Sequence, residues 1–210
     1  MTTGRNRNTG LLLSGLTAAV LVLLPWGLPR AFAGDERIAG LTATVIDNGT
    51  LTVSADLIRW YNRNLQEDLN NGIPKDLYYY ILLKKRQPGW FDEEIYSKTI
   101  KHTIKYDVLK KQYSITTRSD GEITQKTVES FDEMSQLISR IDRVKIETSV
   151  SLNPRHTYYV SVKAEMRATN VPFYLEYILF FIPALELDTP WADSSPFYSL
   201  GRPPVAAPDQ

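Results

Sequence analysis

Alternation between apolar and polar positions runs through most of the chain and predicts β-strands. Residues 41–46 and 50–55 alternate on either side of Asn48-Gly49, a dipeptide typical of tight hairpin turns. Residues 96–106 carry Tyr, Ile or His at most even positions, which predicts a half-buried strand. Similar alternation covers four further stretches. They are 113–117 and 123–128 on either side of a turn at 119–121, then 144–152, and 158–166 after a turn at 153–155. Residues 77–83 are apolar on both faces, which is typical of a central strand.

Helical spacing appears in two segments. Leu57, Tyr61, Leu65 and Leu69 predict a helix over about residues 57–70, which the following Gly72 and Pro74 would end. In the second segment Ser130 and Glu133 have the spacing of a capping box. One apolar stripe follows it, made of Phe131, Met134, Leu137, Ile138 and Ile141.

The predicted order is two strands, a helix, four strands, a helix and two strands. Most neighbouring strands are joined by short turns, so we expect an α+β fold with an antiparallel sheet of about eight strands in hairpins and a meander. Two helices would pack on this sheet. Residues 171–182 would add an apolar C-terminal element.

The first 33 residues have the layout of a secretory signal peptide. Arg5 and Arg7 precede an apolar stretch over residues 11–28, and the segment ends in Ala31-Phe32-Ala33. The alternative is a retained membrane anchor, because about 20 apolar residues span a bilayer. Pro25, Gly27 and Pro29 disfavour such a helix. We therefore expect cleavage after Ala33 and a single mature domain over residues 34–201, followed by a disordered, proline-rich tail at 202–210.

Composition limits the function classes. The chain has no cysteine, which excludes thiol catalysis and thiolate metal sites and fits an exported, periplasm-like location. Cleavage would remove three arginines and no acid, leaving 21 basic and 24 acidic residues, a net charge of −3. This balance gives no electrostatic case for nucleic-acid binding. After cleavage we expect no transmembrane segment, because the apolar run 171–182 is too short and contains Glu176.

Several phrases of the sequence together resemble one protein family. Leu65-Gln66-Glu67-Asp68-Leu69 is followed by Asn71-Gly72-Ile73-Pro74, an apolar strand, a basic cluster and Gly89-Trp90-Phe91-Asp92. Later phrases are Tyr106-Asp107 before Tyr113, Ser130-Phe131 before a short helix, a Tyr-rich strand at 158–166, and Leu187-Asp188-Thr189-Pro190-Trp191. This pattern covers nearly all of the mature chain and resembles the DUF4390 family of exported bacterial proteins.

The resemblance implies a protein of the Gram-negative periplasm or envelope, with no established activity and no assigned catalytic residues. Some members are similar to proteins encoded beside a nitrogen-regulation-type sensor histidine kinase. The resemblance therefore points to an envelope protein partner, with a membrane sensor kinase system as one candidate. It implies no cofactor.

Catalytic and metal-binding residues are weakly indicated. His102 and His156 are the only histidines. Both fall at the apolar positions of the alternation in their strands, so a metal site would require those two strands to be neighbours. The alternative is that each histidine is hydrogen-bonded in the core or at its rim. Acid pairs occur at Glu67-Asp68, Asp92-Glu93-Glu94 and Asp132-Glu133, beside turns or at helix starts where acids are ordinarily solvated. We expect no catalytic, cofactor or metal site, and rank a hydrolase last.

Aromatic residues give the strongest binding hypothesis. Trp90 and Phe91 follow the basic run Lys84-Lys85-Arg86, and this segment would contact an acidic partner or anionic lipid headgroups. A second aromatic group is nearly contiguous and comprises Phe173, Tyr174, Tyr177, Phe180, Phe181 and, further on, Trp191. For each segment we favour a structural alternative, namely a strand end whose Trp90 caps the core for the first and a terminal element packed across the sheet for the second. Our first hypothesis is a non-enzymatic protein-binding module; the second is a carrier of lipid or another apolar ligand, with peripheral membrane contact.

Overall fold

The computed structural model describes residues 35–47, 49–61, 63–149, 151–169 and 185–199. These residues form ten strands and two helices in the order β1 (Arg37–Asp47), β2 (Thr50–Ile58), α1 (Arg63–Asn70), β3 (Lys75–Lys85), β4 (Glu93–Asp107), β5 (Gln112–Ser119), β6 (Glu122–Val128), α2 (Phe131–Ser139), β7 (Arg140–Glu147), β8 (Tyr158–Ala168), β9 (Leu185–Asp188) and β10 (Ala192–Asp193). The predicted signal peptide, the apolar segment 171–182 and the tail 202–210 lie outside the described residues. Neither described helix is long and apolar enough to cross a bilayer.

The strands form two sheets, and every strand pairing in them is antiparallel. The smaller sheet has the order β1-β2-β7, and the larger has the order β10-β8-β3-β4-β5-β6, with β9 also paired to β8. The predicted α+β class, with antiparallel strands and two helices, is confirmed. So is the central place of β3, which pairs with β4 on one side and β8 on the other. The division into two sheets is a finding of the structure, since β7 and β8 are consecutive along the chain but belong to different sheets.

One apolar core joins both sheets and both helices. In β3 the odd-numbered side chains from Leu77 to Leu83 are completely buried, and in β2 the odd-numbered side chains from Leu51 to Leu57 are buried as well. The two-residue period of a strand turns each of these rows toward the same interior. The even-numbered side chains of β3, from Tyr78 to Lys84, are half-buried on the outer face of the larger sheet.

The first helix begins later than its spacing predicts. The sequence interpretation started this helix at Leu57, but β2 continues to Ile58 and α1 begins at Arg63. The prediction was wrong because Leu57 extends the two-residue period of β2 and pairs with Ile38 of β1. Tyr61 is therefore a loop residue with an exposed ring. The predicted end is correct, since α1 ends at Asn70 and Gly72 takes the left-handed φ of 81° that glycine tolerates.

The second helix begins as predicted. The Ser130 side chain accepts a hydrogen bond from the Glu133 amide at 3.1 Å, which satisfies one of the unpaired N–H groups of the first turn. Phe131, Met134 and Ile138 are buried along one side of α2. Ile141, the last residue of the predicted stripe, belongs to β7, which begins directly after the helix.

Candidate functional site

The turn after β3 displays two large aromatic side chains. The Trp90 amide donates to the Gln87 carbonyl at 3.2 Å, and Gly89 has a φ of 78°. Pro88 and Gly89 occupy the two central positions, the pattern of a type II turn. Trp90 is 77% exposed and Phe91 is 87% exposed, with their ring centroids 6.4 Å apart in an edge-to-face arrangement. These two predicted residues thus lie on the surface and not in the core.

Hydrogen bonds hold this turn in place from both sides. The Asp92 carboxylate accepts from the Gln87 amide at 2.9 Å and from the Tyr159 hydroxyl at 2.6 Å. Arg86 donates its amide to the carbonyl of Thr157 at 2.9 Å, which ties the base of the turn to the start of β8. Because these bonds fix the backbone of the turn, binding through the two exposed rings would cost little backbone entropy.

The same bonds set the protonation of their groups. The hydrogen bond from the Tyr159 hydroxyl, followed by that from the Gln87 amide, lowers the pKa of Asp92. Burial, together with the bond to Asp92, raises the pKa of Tyr159 to about 12. Lys85 pairs with Glu93 at 2.5 Å, and this ammonium lowers the pKa of that carboxyl. Asp92 and Glu93 are therefore ionised acceptors that brace the turn.

Lysine and arginine side chains connect this turn to a second aromatic residue. Lys84 pairs with Tyr159 across β3 and β8, and its ammonium lies 5.9 Å from the Tyr159 ring centroid and 5.5 Å from that of Trp191. The Arg86 guanidinium lies 5.9 Å from the Tyr159 ring. Trp191 is 45% exposed. We call the set Lys84, Arg86, Trp90, Phe91 and Trp191 the tip surface.

Trp191 enters this surface because β9 and β10, on either side of it, both pair with β8. The structure thereby brings together two segments that are far apart in the sequence. Sequence reasoning missed Tyr159, whose hydroxyl donates to Asp92 and whose ring lies against the charged groups of Lys84 and Arg86. In the sequence, its only indication was its place among the polar positions of the predicted strand 158–166. Phe173, Tyr174, Tyr177, Phe180 and Phe181 lie outside the described residues.

The two histidines are not brought together. His102 pairs with Leu77 of β3, whereas His156 precedes Tyr158, which pairs with Lys85. Leu77 and Lys85 are eight residues apart along β3, which corresponds to roughly 27 Å in an extended strand. His102 is half-buried beside Thr117, whose hydroxyl lies 2.8 Å from its Nδ1, and burial lowers its pKa to about 4.

The other predicted acids act locally. Asp68 pairs with the buried Lys75 at 2.6 Å. Asp132 and Glu133 lie in the first turn of α2, where the helix dipole favours acids. Within the described ranges, no group of three or more potential metal-ligating side chains occurs.

The family model described as Domain of unknown function (DUF4390) matches residues 37–195, most of the chain. The chain belongs to the DUF4390 family. Its resemblance to this family, first visible in the phrases around Trp90, Ser130 and Trp191, is therefore confirmed. This DUF4390 protein matches no curated protein and no solved structure. The tip surface includes Trp90 and Trp191, two residues of the phrases that carry the resemblance.

Proposed function

We propose that this DUF4390 protein is an exported, non-enzymatic accessory protein of the bacterial envelope that binds a partner protein through the tip surface. The observation that carries the proposal is the display of Trp90 and Phe91 at 77% and 87% exposure on a braced turn. Two neighbouring aromatic rings on a protein surface expose apolar area to water, and a partner can bury that area. Tryptophan, tyrosine and arginine are also the residues that most often dominate the energy of protein interfaces.

The chemistry of the tip surface defines the partner. A partner that buries the rings of Trp90 and Phe91 needs an apolar pocket. To pair with Lys84 and Arg86, it also needs acidic side chains at the rim of that pocket. Both cations lie against aromatic faces, so their positions are constrained before binding. The family association makes the extracytoplasmic domain of a membrane sensor kinase the first partner to examine. Export itself is inferred from residues 1–33 of the sequence.

A photo-reactive residue placed at position 90, in the chain expressed with its N-terminal segment, tests the proposal. The matched control is the same residue at position 109, because Leu109 is 94% exposed and lies in the turn between β4 and β5, at the opposite end of the β3–β4 pair. We expect one envelope protein to be crosslinked from position 90 and not from position 109. Equal crosslinking from both positions, or none from position 90, would contradict the proposal.

Affinity measured with the purified partner gives the second test. Trp90→Ala should weaken binding about 30-fold, as expected for a hot-spot residue worth roughly 2 kcal/mol, and Leu109→Ala should leave it unchanged. Each replaces an exposed side chain, so unfolding free energies should stay within about 0.5 kcal/mol of the parent. Vesicles containing phosphatidylglycerol form the comparison arm. If Trp90→Ala abolishes binding to vesicles and no protein partner responds, the tip surface is a membrane contact and the proposal fails.

A further inference from the structure

A groove of about 650 Å³ opens between the end of β2 and α2. Its lining includes Asp56, Leu57 and Ile58 of β2, Tyr61 of the following loop, and Arg140 after the helix. This volume falls in the range of about 300–1,000 Å³ that small-molecule sites occupy. The groove is formed by other elements than the tip surface and is independent of the function proposed for that surface.

A second stripe on α2 forms one wall of the groove. Four polar residues line it at positions spaced by three, one and three, which is the spacing of a single helix face. They are Asp132, Ser135, Gln136 and Ser139. The apolar stripe of the same helix faces the core, so one side of α2 packs in the core and another lines the groove. Ser135 and Ser139 are fixed by hydrogen bonds. The Ser135 hydroxyl donates to the Asp132 carbonyl at 3.0 Å. The Ser139 hydroxyl accepts from Trp60 Nε1 at 2.7 Å and donates to the Ser135 carbonyl.

An aromatic ring lines the groove near the end of β2. Tyr61 is 53% exposed and lines the groove. Its ring stands edge-to-face against Trp60 at 5.6 Å and against Phe131 at 5.8 Å, and both of those residues are buried. These contacts hold one side of the ring against the core, and its exposed part lines the groove.

The polar side chains of the groove retain unused hydrogen-bonding capacity. Arg140 Nε donates to Asp56 Oδ1 at 3.1 Å, and in this pair 68% of the arginine side chain and 46% of the aspartate side chain stay exposed. Within the described part of the chain, the side chains of Asp132 and Gln136 form no hydrogen bond to another side chain or to the backbone. The groove thus offers guanidinium donors, carboxylate acceptors and an amide that does both.

From this combination we propose that the groove binds a neutral saccharide unit. Each sugar hydroxyl both donates and accepts, so it matches a mixture of Arg, Asp and Gln side chains. The C–H face of a sugar ring is apolar and fits against the exposed Tyr61 ring. Arg140 and Asp56 already pair with each other, so neither charge is left free for a charged ligand, and the remaining carboxylate of Asp132 disfavours an anion.

Amide NMR spectra of the mature chain, recorded during titration with N,N′-diacetylchitobiose, maltose or lactose to about 50 mM, test the proposal. We expect at least one sugar to give saturable shifts confined to the groove, at the Gln136 side-chain amide and the amides of Ser135 and Ser139. Spermidine and citrate are the charged comparison probes. The proposal is overturned if no sugar gives saturable shifts, if the shifts lie elsewhere, or if only a charged probe binds.

Variants then separate the groove from the tip surface. Gln136→Ala and Tyr61→Ala should each raise the Kd for the sugar about tenfold, whereas Tyr61→Phe keeps the ring and should change it less than about threefold. Gln136 is exposed, so its replacement keeps the test valid even if Tyr61→Ala disturbs the packing of Trp60. Phe91→Ala, on the tip surface, should leave sugar binding unchanged. A loss of sugar binding in Phe91→Ala, or full binding in Gln136→Ala, would refute the assignment.

Discussion

Replacing Tyr79 by phenylalanine should destabilise the fold by removing one buried hydrogen bond. Tyr79 is completely buried in β3, and its hydroxyl donates to the carbonyl of Ile138 at 2.6 Å. Ile138 is in the last turn of α2, where carbonyls lack a partner within the helix. Tyr79→Phe leaves that buried acceptor unpaired, and such a loss costs about 1–3 kcal/mol. This hydrogen bond joins the larger sheet to the helix beside the groove.

Urea unfolding followed by circular dichroism measures the effect. With a slope of about 2 kcal/mol/M, the midpoint for Tyr79→Phe should fall by roughly 0.5–1.5 M at an unchanged slope. Tyr80→Phe is the matched control, because Tyr80 is the next residue on the opposite face and its hydroxyl lies 3.5 Å from Glu165, too far for a strong bond. That control should stay within about 0.5 kcal/mol of the parent. A Tyr79→Phe midpoint equal to that of the control would refute the reasoning.

Three further predictions concern single residues. Burial lowers the pKa of His102 from 6.5 to about 4, so the unfolded chain binds more protons between these values and stability must fall as the pH drops. Between about pH 7 and pH 5 the loss is on the order of 2 kcal/mol, and His102→Gln should flatten that pH profile in urea titrations. Ser130→Ala removes the cap of α2 and should cost about 1 kcal/mol by thermal unfolding, whereas Ser97→Ala at an exposed strand position should be nearly neutral. Gly121 has a φ of 81° in the β5–β6 hairpin turn, so Gly121→Ala should lower the unfolding free energy by roughly 1–2 kcal/mol, which the same melts would detect.

Much of the fold follows from local rules, so it could be predicted. The β5–β6 turn needs positive φ at Asp120 and Gly121, and Asp-Gly is a pair typical of such hairpin turns. Ser130 and Glu133 marked the start of α2 by their spacing alone. The start of α1 was mispredicted because Leu57 fits both a helical and a strand period, and only its pairing with Ile38 decides between them.

Long-range pairing limits what the sequence could indicate about the sites. Lys84, Arg86, Trp90 and Phe91 are close in the sequence, so their proximity was foreseeable. Trp191 joins them only because β9 and β10 pair with β8, and strands of four and two residues carry little periodicity. The groove was predictable in part, since the polar stripe of α2 is visible in the sequence. Its other wall depends on how β2 packs beside that helix.

The pairing of β2 with β7 has a consequence for how this chain reaches its native state. Thr50 pairs with Glu147, so the β1–β2 hairpin exposes an open hydrogen-bonding edge until residues 140–147 emerge. Pairings so distant in sequence are slow to form, because a long loop must close before the contact is gained. A chain delivered from its N-terminus would hold that edge unsatisfied while β3 to β6 assemble beside it. The aggregation risk during folding should therefore concentrate in residues 50–58, and binding of a chaperone to that strand would be most useful before β7 arrives.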